Sequence, residues 1–267
     1  MDVGFLRCIW KNRELVWRLT EREVLGRYRG SLLGIGWSFL NPMAMLAVYT
    51  FVFSKIFNVR WGTLEASSPT VFAINLFAGL IVFNLFSEAA LRSPGLVLAN
   101  PNYVTKVIFP LEVLSVVAVA GALFHAGISL IALFLVEIFA LHGLPWTTVW
   151  LPLVWLPLVL FSLATSWLLS ALGVFIRDIG QIVALLVNML MFLSPVFYPA
   201  TALPATFRTL LMFNPLAQVI EQTRQILLVG VSPSLNYLLS GSVVSFAFCA
   251  VSFHFFSRAK KVFADVM

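Results

Sequence analysis

The residue sets that could do chemistry in this 267-residue chain are mostly missing. An ATP-hydrolysing phosphate loop needs glycines ending in Gly-Lys-Ser/Thr, and none of the five lysines (Lys11, Lys55, Lys106, Lys260, Lys261) follows a glycine. The three histidines, His125, His142 and His254, are scattered, with no His-Glu-x-x-His or Gly-x-Ser-x-Gly pattern beside them. The two cysteines, Cys8 and Cys249, have no metal-ligand spacing and read as structural. No catalytic residue, metal site or bound cofactor is therefore expected, and the chain does not read as an enzyme.

What remains is polar chemistry in an apolar setting. Glu88, Glu112 and Glu137 fall near the ends of apolar runs, where a structural pair with Arg92 or Lys106 is the expected use. A proton-driven carrier would want acids at mid-membrane instead. His125 is expected to make an interhelical hydrogen bond or to line a pore. Asn41, Asn75, Asn84 and Asn188 can bond helices together or line a path, and the sequence does not choose. The aromatic residues, 25 Phe, 8 Trp and 5 Tyr, are mainly lipid-facing bulk or interface belt. Some can stack on the C–H faces of a sugar polymer. Trp37, Phe39 and Tyr49, with Phe192, Phe197 and Tyr198, are the candidates for such a channel lining.

The elements that must position these residues follow from composition. Hydrophobic residues make up 61% and charged residues 10%, against about 45–50% and about 25% in soluble domains. A single-domain polytopic membrane protein is the economical reading. The net charge of +6 would suggest nucleic acid in a soluble chain, but its placement argues for topology instead. Seven basic residues (Arg7, Lys11, Arg13, Arg18, Arg22, Arg27, Arg29) precede the first long apolar run, and Arg258, Lys260 and Lys261 follow the last. Both ends are expected in the cytoplasm, which then holds 13 of the 17 basic residues.

Residues Phe5 to Tyr28 carry Leu6, Ile9, Trp10, Val16, Trp17, Val24 and Tyr28 at helical spacing, predicting an amphipathic helix that lies on the membrane. Its recurring charges exclude a signal peptide core. Six apolar runs follow, near Gly34 to Phe57, Val71 to Ala90, Val107 to Phe139, Pro145 to Phe175, Ile179 to Tyr198 and Leu235 to Phe256. Lys55 marks the outer end of the first run, and Arg60, Arg208 and Arg224 are assigned to outside loops. Between the last two runs, 199–233 is semi-apolar and broken by prolines, predicting short re-entrant helices in the outer leaflet. The fold expected is an all-α integral membrane protein: an amphipathic interface segment over 1–30 and a six-helix transmembrane domain over 31–267.

Four ordered segments resemble one known family. They are Arg27-Tyr28-Arg29-Gly30-Ser31-Leu32-Leu33-Gly34-Ile35-Gly36-Trp37 with Asn41-Pro42 and Tyr49-Thr50-Phe51-Val52-Phe53; Phe175-Ile176-Arg177-Asp178-Ile179; Leu193-Ser194-Pro195-Val196-Phe197-Tyr198-Pro199; and Asn214-Pro215-Leu216 with Arg224. The chain resembles the ABC-2 type permeases that export polysaccharides, most of all the O-antigen and capsule exporters. The resemblance implies a multi-pass protein of the bacterial inner membrane, paired with a second copy of itself and with two separate ATP-binding cassette subunits that hold ATP and magnesium. It implies a polymer on a polyprenyl pyrophosphate lipid as substrate. Arg27 and Arg29 are then candidates for the anionic head group, with binding of anionic membrane lipids the equal alternative. It also implies that a short helix near Ser93 to Tyr103, with Ser93, Pro94, Asn100, Pro101 and Tyr103, docks on the ATPase. No nucleic-acid partner is expected.

Rival readings are an ABC-2 permease for a drug or other small hydrophobic molecule, a membrane-embedded enzyme, and an ion-coupled carrier acting alone. The sequence does not distinguish O-antigen from capsule or teichoic-acid-like polymers.

Overall fold

The computed structural model describes residues 4–52, 69–105, 109–141, 143–211 and 213–266, and among these every regular element is helical. The predicted positions Lys55, Phe57, Arg60, Lys106 and His142 lie outside the described residues.

The amphipathic segment is two helices: α1 (Gly4–Lys11) and α2 (Arg13–Tyr28). Asn12 separates them, its side-chain amide donating to the carbonyl of Cys8 at 2.8 Å and so competing with helix continuation. The single surface helix expected over Phe5 to Tyr28 is thereby corrected. The stripe divides as well: Phe5 and Val24 are buried, while Trp10 and Trp17 are both 72% exposed. Phe5 sits among Trp167, Phe246 and Phe253, with ring centroids 5.2–6.2 Å apart, so α1 is part of the packed core.

Four stretches are long and apolar enough to cross a membrane: Val71–Gly95, Glu112–Phe139, Trp146–Phe175 and Leu235–Val266. They contain the helices α4 (Pro69–Arg92), α6 (Glu112–Leu141), α7 (Leu151–Phe175) and α11 (Leu235–Ala259). The first predicted run is represented by α3 (Trp37–Phe51), whose continuation lies outside the described residues. The fifth is shorter than expected. Helix α8 (Ile179–Leu193) has 15 residues, about 22 Å at 1.5 Å per residue, against the ~30 Å of a hydrocarbon core. Pro195 causes the stop, since it lacks an N–H and pushes Ser194 out of the helical region, to φ −95° and ψ 149°. Six full spans are thus an expectation, and four are observed among the described residues.

Short helices complete the chain: α5 (Pro101–Thr105), α9 (Ala205–Leu211), α10 (Pro215–Arg224) and α12 (Phe263–Val266). Two apolar cores hold them together. One surrounds α4 with Leu133, Leu158, Leu216 and Ile220, and the other surrounds Trp167 with Phe5, Cys249, Phe256 and Phe263. Helix α4 is the axis of the first: of residues 72–90, Asn84 alone is exposed. Helix α7 packs along α11 and also touches α4 and α6.

Candidate functional site

A layer of paired charges gathers where α2, α4 and α6 meet. Helix α2 advances in step along α6, with Glu23 beside Gly121 and Arg27 beside His125. Gly121 is required there, because a Cβ would stand 2.9 Å from the Glu23 carboxylate. Glu23 pairs with Arg92 at the end of α4. Glu88, one turn earlier, accepts from Arg27 at 2.7 Å and lies 2.9 Å from His125 Nδ1. Glu112, at the start of α6, pairs with Lys260 beyond the end of α11. The expected partners for Glu88 and Glu112, Arg92 or Lys106, are therefore corrected: Arg92 is taken by Glu23, and Glu88 and Glu112 find bases on other elements. His125 makes the interhelical contact expected of it. Glu137 is buried, and neither of its oxygens has a hydrogen-bond partner among the described residues. Cys8, near Glu112, has its thiol pKa pushed up, by burial first and by that carboxylate second.

The two candidate head-group arginines differ in consequence. Arg27 already spends its charge on Glu88, while the exposed Arg29 side chain makes no ion pair or hydrogen bond among the described residues. The chain then turns through Gly30 and Gly34, both at positive φ (84° and 52°), into α3. This explains Gly30 and Gly34 of the first motif.

The predicted coupling segment is not one helix but a 3-10 turn at Ser93–Gly95 followed, after further turns, by α5. Proline at 94 and 101 and glycine at 95 break it. Ser93 and Pro94 are buried, Ser93 donating to Ala89 O at 2.6 Å with its Oγ 2.8 Å from Ser166 Oγ, and the Pro94 carbonyl resting against Gly173 of α7. They anchor the segment. Its exposed part includes Gly95, Leu98, Ala99, Pro101 and Asn102. Asn100 donates to Leu96 O at 2.9 Å, and Tyr103 stacks on Phe109 at 4.3 Å and accepts from Arg22 at 3.3 Å. Between this segment, α2 and α6 lies a cavity of about 410 Å³, lined by Arg22, Glu23, Arg92 and Tyr103 among others.

At the far end of the molecule two of the sequence motifs meet. Asn214 caps α10, its Oδ1 accepting from the backbone of Leu216 at 3.0 Å and of Ala217 at 3.4 Å, while its amide donates to Ser194 at 2.9 Å. Arg224, at the other end of α10, is 4% exposed. It donates to the carbonyls of Asn75 on α4 at 2.9 Å, Pro195 at 2.6 Å and Val196 at 2.8 Å. Gly79 makes room for it, since a Cβ there would stand 2.7 Å from the guanidinium. Burial lowers the Arg224 pKa to about 10, partly countered by Glu221, which leaves it charged at neutral pH. Of the reading that put Arg224 in an outside loop, the loop is corrected: Arg224 ends α10, is buried, and ties α10 to α4 and to the turn after α8. Arg208 on α9 stays exposed and donates to Thr201 O and Leu203 O.

The aromatic candidates divide. Phe192 and Phe197 face each other at 5.9 Å, and the Tyr198 hydroxyl donates to Phe192 O at 3.1 Å. Phe192 and Tyr198 line a cavity of about 550 Å³ together with Phe86, Phe161, Phe207 and Phe213. Trp37, Phe39 and Tyr49 lie on α3 and line none of the cavities described, Trp37 and Phe39 being exposed and Tyr49 half-buried against the core. Asn84, Asn41 and Asn188 are exposed, on α4, α3 and α8, and α4 packs against both of the others. Asn75 instead donates to Val71 O within its own helix. Sequence reasoning missed Glu23, Ser166, Gly79 and Gly173. The glycines were the available signal, since glycine inside a helical pattern marks a close approach.

The sequence profile of the ABC-2 type transporter matches residues 14–228. The chain is 29% identical over 258 residues to the O-antigen export system permease protein RfbA of Klebsiella pneumoniae, covering 93% of each chain. It is also 29% identical over 266 residues to the protein of that name from Myxococcus xanthus, covering 98% of this chain and 99% of the other. To the polysialic acid transport protein KpsM of Escherichia coli it is 26% identical over 230 residues, covering 84% and 86%. With a helical membrane architecture, and with the third and fourth motifs packed on one another, this chain belongs to the ABC-2 type transporter family.

Proposed function

We propose that the chain is the membrane subunit of an ATP-driven exporter that moves a polyprenyl-pyrophosphate-linked polysaccharide, of O-antigen or capsule type, out of the cytoplasm across the inner membrane. The observation that carries this reading is near-full-length similarity to permeases named for O-antigen export and polysialic acid transport, in a chain without a phosphate loop. Two copies pair with two ATP-binding cassette subunits, which bind ATP and magnesium and supply the energy. Both termini are cytoplasmic, as the basic ends favour, and α3 and α8, extended by their neighbouring residues, complete six spans.

In this reading the exposed part of the segment after α4 docks on the ATPase, and its buried anchors, Ser93 and Pro94, pass the push to α7. Arg29 attracts the pyrophosphate, with Arg27 joining it when Glu88 and His125 release it. The polymer follows a path bearing Asn84 and aromatic rings, of which Phe192 and Tyr198 have an open cavity beside them. Helices α9 and α10 close the outer end.

Deletion of the gene is expected to leave lipid-linked polymer inside the cell and none at the surface. Arg29→Ala should lower export without loss of the co-purifying ATPase subunit. Polymer that still reaches the surface, with no second exporter present, would overturn the reading.

A further inference from the structure

Away from the charged layer, and adjoining the aromatic cavity through Phe161, Phe213 and Pro215, a cleft of about 850 Å³ opens between α7, α10 and α11. Leu158 and Phe161 of α7, Val219 of α10 and Val244 of α11 are among its apolar walls. No charged side chain lines it. Towards the end of α11 away from the charged layer its rim carries Gln218 and Asn236, whose side-chain amides make no hydrogen bond among the described residues. The spacing of its walls is fixed beside it: Tyr237 of α11 donates to Val154 O of α7 at 2.8 Å, and Gly241 meets the ring of Pro157.

Its depth has a natural measure. The lining residues on α11 run from Asn236 to Ser245, about 14 Å of helix, close to half of a ~30 Å hydrocarbon core. The cleft is therefore as deep as one leaflet, apolar along its length apart from the hydroxyls of Ser240 and Ser245, and polar but uncharged at the level where a glycerolipid carries its ester groups. Left empty, its apolar walls would forfeit dispersion contacts on one side. A charged ligand would find no counter-charge there, and a water chain would find few partners below the rim.

We propose that this cleft is a binding site for one acyl chain of an outer-leaflet glycerolipid, whose ester carbonyls accept hydrogen bonds from the amides of Gln218 and Asn236. The chain fills the gap between α7 and α11 and so supports α10, whose Val219 forms one wall.

The test uses the protein purified with its bound partners into nanodiscs of phosphatidylglycerol that carries a diazirine in one acyl chain. Photolabelled peptides should map to the cleft walls on α7, α10 and α11. Val244→Trp, at a position 67% exposed and facing the cleft, fills the space without repacking the core. It should lower labelling at the cleft about tenfold, equivalent to about 1.4 kcal/mol of binding. Val251→Trp, at a position 68% exposed on the same helix but not lining the cleft, should label as the unmodified protein does. Equal cleft labelling of Val244→Trp and the unmodified protein overturns the assignment. So does labelling by a diazirine-bearing polyprenyl phosphate but not by the phospholipid, which would make the cleft a carrier-lipid site.

Discussion

At the charged layer Glu23 and Glu88 each meet a basic side chain from another element, whereas at the far end of the molecule the buried Arg224 is gripped, among the described residues, by three neutral carbonyls. The difference lies in how each can respond. Paired charges that are partly open to solvent can exchange partners at modest cost, since water and other ions compensate a broken pair. A buried guanidinium on backbone carbonyls has no such substitute, so its loss strands every acceptor at once. The first arrangement suits a surface that must admit a partner and a charged ligand. The second suits a joint that moves as one piece or not at all, because Arg224 ties α4, α10 and the turn after α8 together.

The comparison breaks most visibly at Arg224. Arg224→Ala should cost about 3–9 kcal/mol of unfolding free energy in mixed micelles, three stranded carbonyls at about 1–3 kcal/mol each. Gly79→Ala should act in the same direction and be milder, despite the roughly 1 kcal/mol that alanine gains over glycine in a helix. A stabilised Gly79→Ala protein would show that the guanidinium is not held tightly. Glu88→Gln should cost about 1 kcal/mol in the same assay, because the Arg27 it releases is already partly solvated. Its larger consequence should be a freed Arg27, seen as tighter binding of anionic vesicles. The smallest effect belongs to the exposed Glu14–Arg18 pair, 79% and 74% open at the side chains. Glu14→Gln should change stability by about 0.3 kcal/mol and lose even that in high salt. A cost above 1 kcal/mol there would mean that the surface helix is tied down by more than its own pairs.

Particular residues show how far each region could be read in advance. The apolar runs announced α4, α6, α7 and α11, because a lipid solvent demands long, charge-poor helices and leaves a plain trace in composition. Pro195 within Leu193-Ser194-Pro195 was visible too, and its power to end α8 was underestimated. Asn12 is another such case: its amide competes with the backbone only once Cys8 O is in reach, so a hydrophobic stripe that looked continuous became two helices. For the candidate site, the head-group arginines were chosen by charge and position along the chain, and neither separates Arg29 from Arg27. That separation needed Glu88 and His125, 61 and 98 residues further along the chain.

The sequence by itself determined a helical membrane protein with basic ends, no phosphate loop and four motifs that mark its family, since composition, hydropathy and local spacing depend only on neighbours along the chain. Tertiary structure decided which of its charges are spent and which are free, that Arg224 is a buried tie at a helix end and not a loop charge, and that Ser93 and Pro94 anchor a segment they were expected to expose. Those outcomes depend on contacts between residues far apart in sequence, often through a glycine that permits the approach, and such contacts exist only after the helices have packed.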